Sequence, residues 1–306
     1  MNKSLQAFFL LSILLLHSCA DNEAIRGRLT LSLTDAPSDA NNIKEVNLSI
    51  TSIDVIAEGS ESWQTIKSFE DPLTVNLLEY TQGEFYDLTE QYLTPGNYKG
   101  LRLQLSIANV DNGLTVFPQS NLVFTNGTQE TLFVEDGGIN FIEVTNAFNI
   151  ATNQTTFLTL DFDVRKSIII TNQGYRLRPS MRMVENQSAG AIDGQFRDFA
   201  DFDKVVAYAY ETGDFTIGET NGTPSFANSI SSAGVQTSRG GSFTISFLPE
   251  GNYDLIFVDL KTDGSVNTVL GKLSAVIVES EKDTFTCVQL TPPDVQGNCR
   301  QLEAAF

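Results

Sequence analysis

The chain holds a single histidine, His17, in 306 residues. That residue stands in the opening segment, where Lys3 supplies a positive start, residues 7–16 are apolar except for Ser12, and the small Ser18 precedes Cys19. The layout is that of a secretory signal peptide, too short and wrongly flanked to span a membrane as a helix. Its removal takes away the only imidazole. Ser-His-Asp and Cys-His catalysis, histidine-dependent zinc sites and imidazole acid/base chemistry are thereby excluded. Cysteine is scarce as well: besides Cys19 there are only Cys287 and Cys299, too few for a thiolate metal cage. No glycine-rich phosphate loop leads from a strand into a helix. Positive charge is short, with 19 basic against 38 acidic side chains and a net charge of −19, shared evenly by the two halves on either side of Gln187. Without a basic run or stripe, nucleic acid is excluded as a partner and an anionic membrane surface would repel the body.

What is present begins at Leu16-His17-Ser18-Cys19, which resembles the bacterial lipoprotein signal. The resemblance implies that Cys19 is lipidated and becomes the new N-terminus, so that the membrane is a partner through an N-terminal lipid anchor. The alternative is an ordinary signal peptidase that leaves Cys19 as a free thiol. Ala20 rather than Asp follows the cysteine, which does not look like an inner-membrane retention signal, and Asp21 and Glu23 resemble the acidic surface-export signals of some lineages. The expected location is the outer membrane, on its periplasmic or cell-surface face, with the surface favoured. Residues 19–26 form a lipidated tether reaching about 25 Å when extended. In an exported protein Cys287 and Cys299 form an even pair whose bridge would contribute about 3 kcal/mol, the alternative being two reduced thiols.

From Gly27 onward the apolar period is two. Leu29, Leu31 and Leu33 face one way while Thr30, Ser32 and Thr34 face the other, the pattern of a half-buried strand. Val46, Leu48 and Ile50 repeat it, and Ile53 and Val55 continue out of phase, which predicts a bulge near Thr51 and Ser52. Further alternating runs lie at Leu73-Val75-Leu77, Leu101-Leu103-Leu105-Ile107, Leu114-Val116 and Leu132-Val134, separated by turn residues at Pro95-Gly96, Asp111-Asn112-Gly113, Asn126-Gly127 and Gly137-Gly138. Only residues 80–92 have room for a helical turn or two. A strand at 157–164 and a hairpin of 167–171 with 175–184 close the first half. Residues 211–241, rich in Gly, Ser, Thr and Asn, are the least determined part of the second. Leu93-Thr94-Pro95-Gly96-Asn97-Tyr98 is echoed by Leu248-Pro249-Glu250-Gly251-Asn252-Tyr253. The expected fold is all-β: two antiparallel β-sandwich domains, Ig-like or transthyretin-like, in series after the signal. The expected division is a signal at 1–18, the tether at 19–26, domains at 27–186 and 187–291, and a tail at 292–306.

Several short motifs fall in one order: Leu33-Thr34-Asp35-Ala36-Pro37, Trp63 after a strand, Val75-Asn76-Leu77-Leu78, Leu93-Thr94-Pro95-Gly96-Asn97-Tyr98 leading to Leu101-Arg102-Leu103, Asp161-Phe162-Asp163 with Lys166-Ser167-Ile168, and Tyr175-Arg176-Leu177-Arg178-Pro179. Together they resemble the bacterial family called domain of unknown function 4382, over roughly residues 27–184. That family is typically found on exported lipoproteins and has no established activity, so the resemblance transfers no catalytic residue. Gly194, Val205-Val206-Ala207-Tyr208, Gly241-Ser242-Phe243 and the Leu248–Tyr253 motif resemble a transthyretin-like or carboxypeptidase-regulatory-like sandwich, which implies a stalk, spacer or adhesive role.

Carboxylate-only chemistry survives the missing histidine, because glycoside hydrolysis needs two placed acids. Asp161 and Asp163 are the sharpest pair, with period two putting both on one face. The simpler reading is a charged solvent face balanced by Arg165 or by Arg176, Arg178 and Arg182. Calcium is the one cofactor considered, with Asp198, Asp201 and Asp203 as the candidate metal ligands, although acid clusters are expected by chance in so acidic a chain. Trp63, Tyr80, Phe85, Tyr86, Tyr92, Tyr208, Tyr210 and Tyr253 are candidates for sugar stacking, against core packing as the commoner role. The leading expectation is a non-enzymatic cell-envelope lipoprotein presenting a binding or adhesive surface to a glycan or protein ligand. An accessory carbohydrate-binding lipoprotein comes next, and a carboxylate-only glycosidase third.

Overall fold

The computed structural model describes residues 26–36, 42–109, 119–134, 140–172, 174–290 and 299–305. The expected signal segment with Cys19, the strand expected at Leu114-Val116 and the turns expected at residues 111–113 and 137–138 lie outside the described residues.

The alternating leucines do form a strand. Gly27–Ala36 lies inside a four-stranded sheet, parallel to Thr155–Asp163 on one side and antiparallel to Tyr86–Leu93 on the other, with Met181–Glu185 beyond Thr155–Asp163. Leu29, Leu31 and Leu33 point from it into the first core. They meet Leu48, Ile50, Ile53 and Val55, from the long strand Ile43–Ala57 of a larger facing sheet, and Leu101 and Leu103 from its neighbour Gly96–Leu105. The register of Ile43–Ala57 slips between Ile50 and Ser52 against both neighbours, at the predicted bulge, so the apolar phase changes without leaving the core.

Two expectations are corrected in this half. Residues 80–92, where the sequence left room for a helical turn or two, do not form one: the turn comes earlier, as a 3-10 segment Leu77–Glu79 capped by the Asn76 side chain, and Tyr86–Leu93 is a strand. The reason is that Leu88 and Leu93 are needed in the core, and Gly27–Ala36 needs a partner along its second edge. The expected run 175–184 is two strands, Gly174–Leu177 in the larger sheet and Met181–Glu185 in the smaller, divided at Arg178-Pro179-Ser180 where proline has no N–H for a ladder.

A single 3-10 turn, Asn186–Ser188, leads into the second unit. There Ala189–Phe196 pairs antiparallel with Ser242–Pro249 and parallel with Asp283–Gln289, and a second four-stranded sheet runs Ser231–Gly234, Val205–Glu211, Gly251–Leu260, Val266–Val278. Ile192, Phe196, Phe243, Leu255 and Phe257 fill the space between the sheets. Both units are all-β and mostly antiparallel; in each the first strand runs parallel to a late one, and Gln129–Val134 with Gly174–Leu177 and Asp283–Gln289 with Arg300–Gln301 are also parallel pairs.

Residues 211–241 prove to be well defined. Their Phe215 and Phe226 cover the outer face of the second sheet, Phe226 stacking on Tyr208 at 4.1 Å between ring centroids and Phe215 meeting Tyr210 edge-on at 5.3 Å. Val205–Glu211 and Gly251–Leu260 are therefore buried on both faces, which is why their sequences read as continuous apolar runs rather than alternating ones. The echoed motif is one turn solution used twice: Tyr98 Oη donates to Thr94 O at 2.9 Å and Tyr253 Oη to Pro249 O at 2.7 Å. Cys287 and Cys299 are joined by a disulfide with Cα atoms 4.5 Å apart.

Candidate functional site at the junction of the units

The strand Thr155–Asp163 alternates as expected: Leu158, Leu160 and Phe162 enter the core, and Phe157, Thr159, Asp161 and Asp163 take the other face. That face is not uniform. Phe157 is 42% exposed, whereas Asp161 and Asp163 are 5% and 8% exposed, because the second unit packs over their end of the strand. The expected solvent face is thus corrected: the two acids are buried at an interface. A buried carboxylate requires partners, and each has them. Arg182 donates from Nε to Asp161 Oδ2 at 2.8 Å, and also from Nη2. Asp163 caps the short helical turn Val164–Ser167, accepting Lys166 N–H on Oδ1 at 3.0 Å, and its Oδ2 meets Lys166 Nζ at 3.1 Å and Arg165 Nη2 at 3.3 Å. Of the four arginines expected to balance the pair, Arg165 and Arg182 do so.

The same three cations reach across to the second unit. Arg165 donates from Nη1 to the main-chain oxygens of Ser225 and Phe226 and from Nη2 to Ser229 Oγ at 3.0 Å, with its guanidinium 5.0 Å from the Tyr208 ring centre. Lys166 Nζ donates to Ser229 O at 2.6 Å, and Arg182 Nη1 to Phe247 O at 2.7 Å. Gln82, which no sequence signal distinguished, closes the other side. Its Nε2 donates to Gly234 O and its Oε1 accepts Thr244 N–H, both at 2.9 Å. It does so from a left-handed backbone, φ 60°, a conformation a non-glycine residue holds only when its surroundings fix it. Phe85 packs edge-on against Phe247 across the same boundary. A pocket of about 200 Å³ remains, lined by Asp161, Asp163, Lys166, Ser180, Met181, Arg182, Ser229 and Ile230.

Burial pushes the Asp161 carboxyl above its usual range against the pull of Arg182, and burial lowers the Lys166 ammonium against the pull of Asp163. Both directions are those of desolvated groups engaged by counter-charges. Both acids are thus engaged by fixed cations, and both border the remaining pocket.

The remaining candidates are not gathered. Asp198 accepts Leu290 N–H at 2.6 Å, while Asp201 and Asp203 line a separate open pocket with Asp259 and Asn267. Among the described residues no three acidic or thiol side chains are grouped as a metal would require. Tyr208, Tyr210 and Tyr253 are buried, and the face of Trp63 is occupied by the Arg102 guanidinium at 4.5 Å, which also lies over Phe141 and pairs with Asp54 at 2.8 Å. Tyr80 and Tyr86 pack edge-on against each other, and Tyr92 is exposed beneath Arg28.

Residues 26–179, half of the chain, match the family model described as domain of unknown function DUF4382. The chain belongs to the DUF4382 family. The DUF4382 segment contains Asp161, Asp163, Arg165 and Lys166, while Arg182 and every main-chain oxygen they grip lie beyond it. No curated protein sequence matches the chain. Among solved structures it is similar to the Bacillus anthracis TIE protein (13% identity, TM-score 0.21, 86% of this chain and 34% of that one). It is also similar to GBS52, the minor pilin of Streptococcus agalactiae (12%, 0.20, 88% and 99%) and to the fimbrial anchor protein Mfa2 from Porphyromonas gingivalis (9%, 0.21, 81% and 82%). The chain thus spans about a third of the length of the TIE protein. No helix among the described residues is long and apolar enough to cross a membrane.

Proposed function

We propose that this protein is a lipid-anchored cell-envelope protein that displays a binding or adhesive surface and catalyses no reaction. The observation that carries this reading is the engagement of Asp161 and Asp163, the sharpest acid pair in the sequence, as holdfasts for Arg165, Lys166 and Arg182 in the clasp between the units. The direction of the first strand supports it. Gly27 follows the tether from Cys19, and the far end of the strand, about 30 Å away at ~3.3 Å per residue, reaches the junction. The second unit is then held on the far side of the first from the membrane. That arrangement suits display of the distal unit, and a rigid clasp suits a spacer better than a hinge.

Three measurements test the reading. Cys19→Ala should abolish incorporation of labelled fatty acid and release the protein from the membrane fraction; a membrane-bound variant would refute the anchor. An aryl-glycoside panel should show no turnover, and turnover lost on Asp161→Asn would restore the glycosidase. A glycan array probed with the detergent-solubilised protein separates a carbohydrate ligand from a protein one: a saccharide bound by the second unit favours the former, and a blank array the latter.

A further inference from the structure

Beneath the helical turn that carries the clasp lies a carboxyl group that the clasp does not use. The alternation of Gly27–Ala36 puts Asp35 on the same side as Leu31 and Leu33, and it is 4% exposed. Its Oδ1 accepts the N–H of Val164, the first residue of the turn, at 3.0 Å. Its Oδ2 is buried and has no hydrogen-bond partner among the described residues, and Ser232 Oγ of the second unit is in the same condition. Both residues line one crevice of about 10 Å³ between the units, together with Thr34, Gln82, Ser231 and Ser246. Two residues that each carry an orphaned polar atom line one space of that size, and a space of this order holds one water.

The charges around Asp35 decide its state. On the neighbouring strand Asp161 and Asp163 repel a negative charge there; from the turn, Arg165 attracts one, but it is drawn to Asp163 and to the second unit's carbonyls, as is Lys166, while Arg182 is bound to Asp161. The segment carrying Tyr80 and Glu84 presents main-chain oxygens, to Asp35 N–H and Thr34 Oγ1. The second unit offers only hydroxyls on this side, with Asp193 behind Thr244. Burial, opposed by the Val164 hydrogen bond and reinforced by Asp163 and Asp161, lifts the Asp35 carboxyl well above the ordinary carboxylate range.

We propose that Asp35 is a proton-binding site that sets how tightly the two units are held. As the neutral acid it keeps Val164 N–H on Oδ1 and donates from Oδ2 to a single water in the crevice, which Ser232 also holds. Ionised, it keeps the Val164 N–H but leaves a desolvated negative charge beside Asp161 and Asp163, which opening the junction to water relieves. By linkage, closing the junction raises the affinity of Asp35 for its proton, so closure is fully favoured below the ordinary carboxylate value of about 3.9 and weakens as pH rises through the elevated one.

Hydrogen exchange of the full-length protein in detergent tests this at the Thr244 amide, whose hydrogen bond to Gln82 crosses the junction. Corrected for intrinsic rates, its protection should fall several-fold as pH rises from about 4 to about 8, a range that runs from the ordinary carboxylate value through the elevated one. Asp35→Asn mimics the neutral acid and should remove the Asp35 share of the slope, leaving the smaller one contributed by the Asp161 carboxyl, itself raised by burial at the junction. Wild-type protection that does not change, or an Asp35→Asn profile with the wild-type slope, would overturn the proposal. A carbon-13 titration of the wild-type Asp35 carboxyl decides independently of the variant: an elevated midpoint is expected, and an ordinary one refutes it.

Discussion

The two units protect their central strands by different means. In the first, Gly27–Ala36 buries one face against Ile43–Ala57 and turns the other toward solvent or the junction, so its sequence alternates. In the second, Val205–Glu211 and Gly251–Leu260 are enclosed on both faces, because residues 211–230 fold back with Phe215 and Phe226 over Tyr208 and Tyr210. This cover is not self-contained. The backbone of Ser225, Phe226 and Ser229 is what Arg165 and Lys166 grip. The first unit thus holds down the lid of the second, and the second shields the acids of the first.

The contrast between the units is most exposed to test at the lid. Phe226→Ala removes a fully buried ring and should cost about 3–5 kcal/mol, with the loss confined to the second unit in a differential scanning experiment; equal loss in both units would mean that the cores are not separate. Arg182→Ala leaves Asp161 buried without its cation and should cost about 3 kcal/mol, lowering protection at the amides on both sides of the junction. Removing the disulfide with Cys287→Ser opens no loop around the junction, and should destabilise the second unit alone by about 2–3 kcal/mol. The smallest effect addresses what the units share: Tyr98→Phe and Tyr253→Phe each remove the same hydroxyl-to-carbonyl bond, and chemical denaturation should register about 1 kcal/mol for each, one in each unit.

Period two made the strands legible, including the slip at Ile50 to Ser52, because alternation is a property of the strand itself. The burial of Asp161 and Asp163 was not legible, since it depends on a surface that arrives only when the second unit docks. Arg165 illustrates the limit: its partners are main-chain oxygens about sixty residues away, and a carbonyl leaves no mark on residue identity. Gln82 was invisible for the same reason. Arg165 stood out in the sequence as a counter-charge to the pair, but Lys166 beside it did not, although two adjacent cations close after Asp163 are conspicuous in so acidic a chain. The lid was missed because Gly, Ser, Thr and Asn around Phe215 and Phe226 read as loop chemistry, and the two rings were too sparse to show a period.

The position of Gly27–Ala36 inside its sheet, flanked by Thr155–Asp163 along nearly its whole length and by Tyr86–Leu93 for most of it, has a mechanical side. A pull applied at Gly27 acts along the strand and loads both ladders of hydrogen bonds in shear, all at once, instead of peeling them apart one by one as it would at a free edge. A protein tethered at that end would yield last where it is fastened.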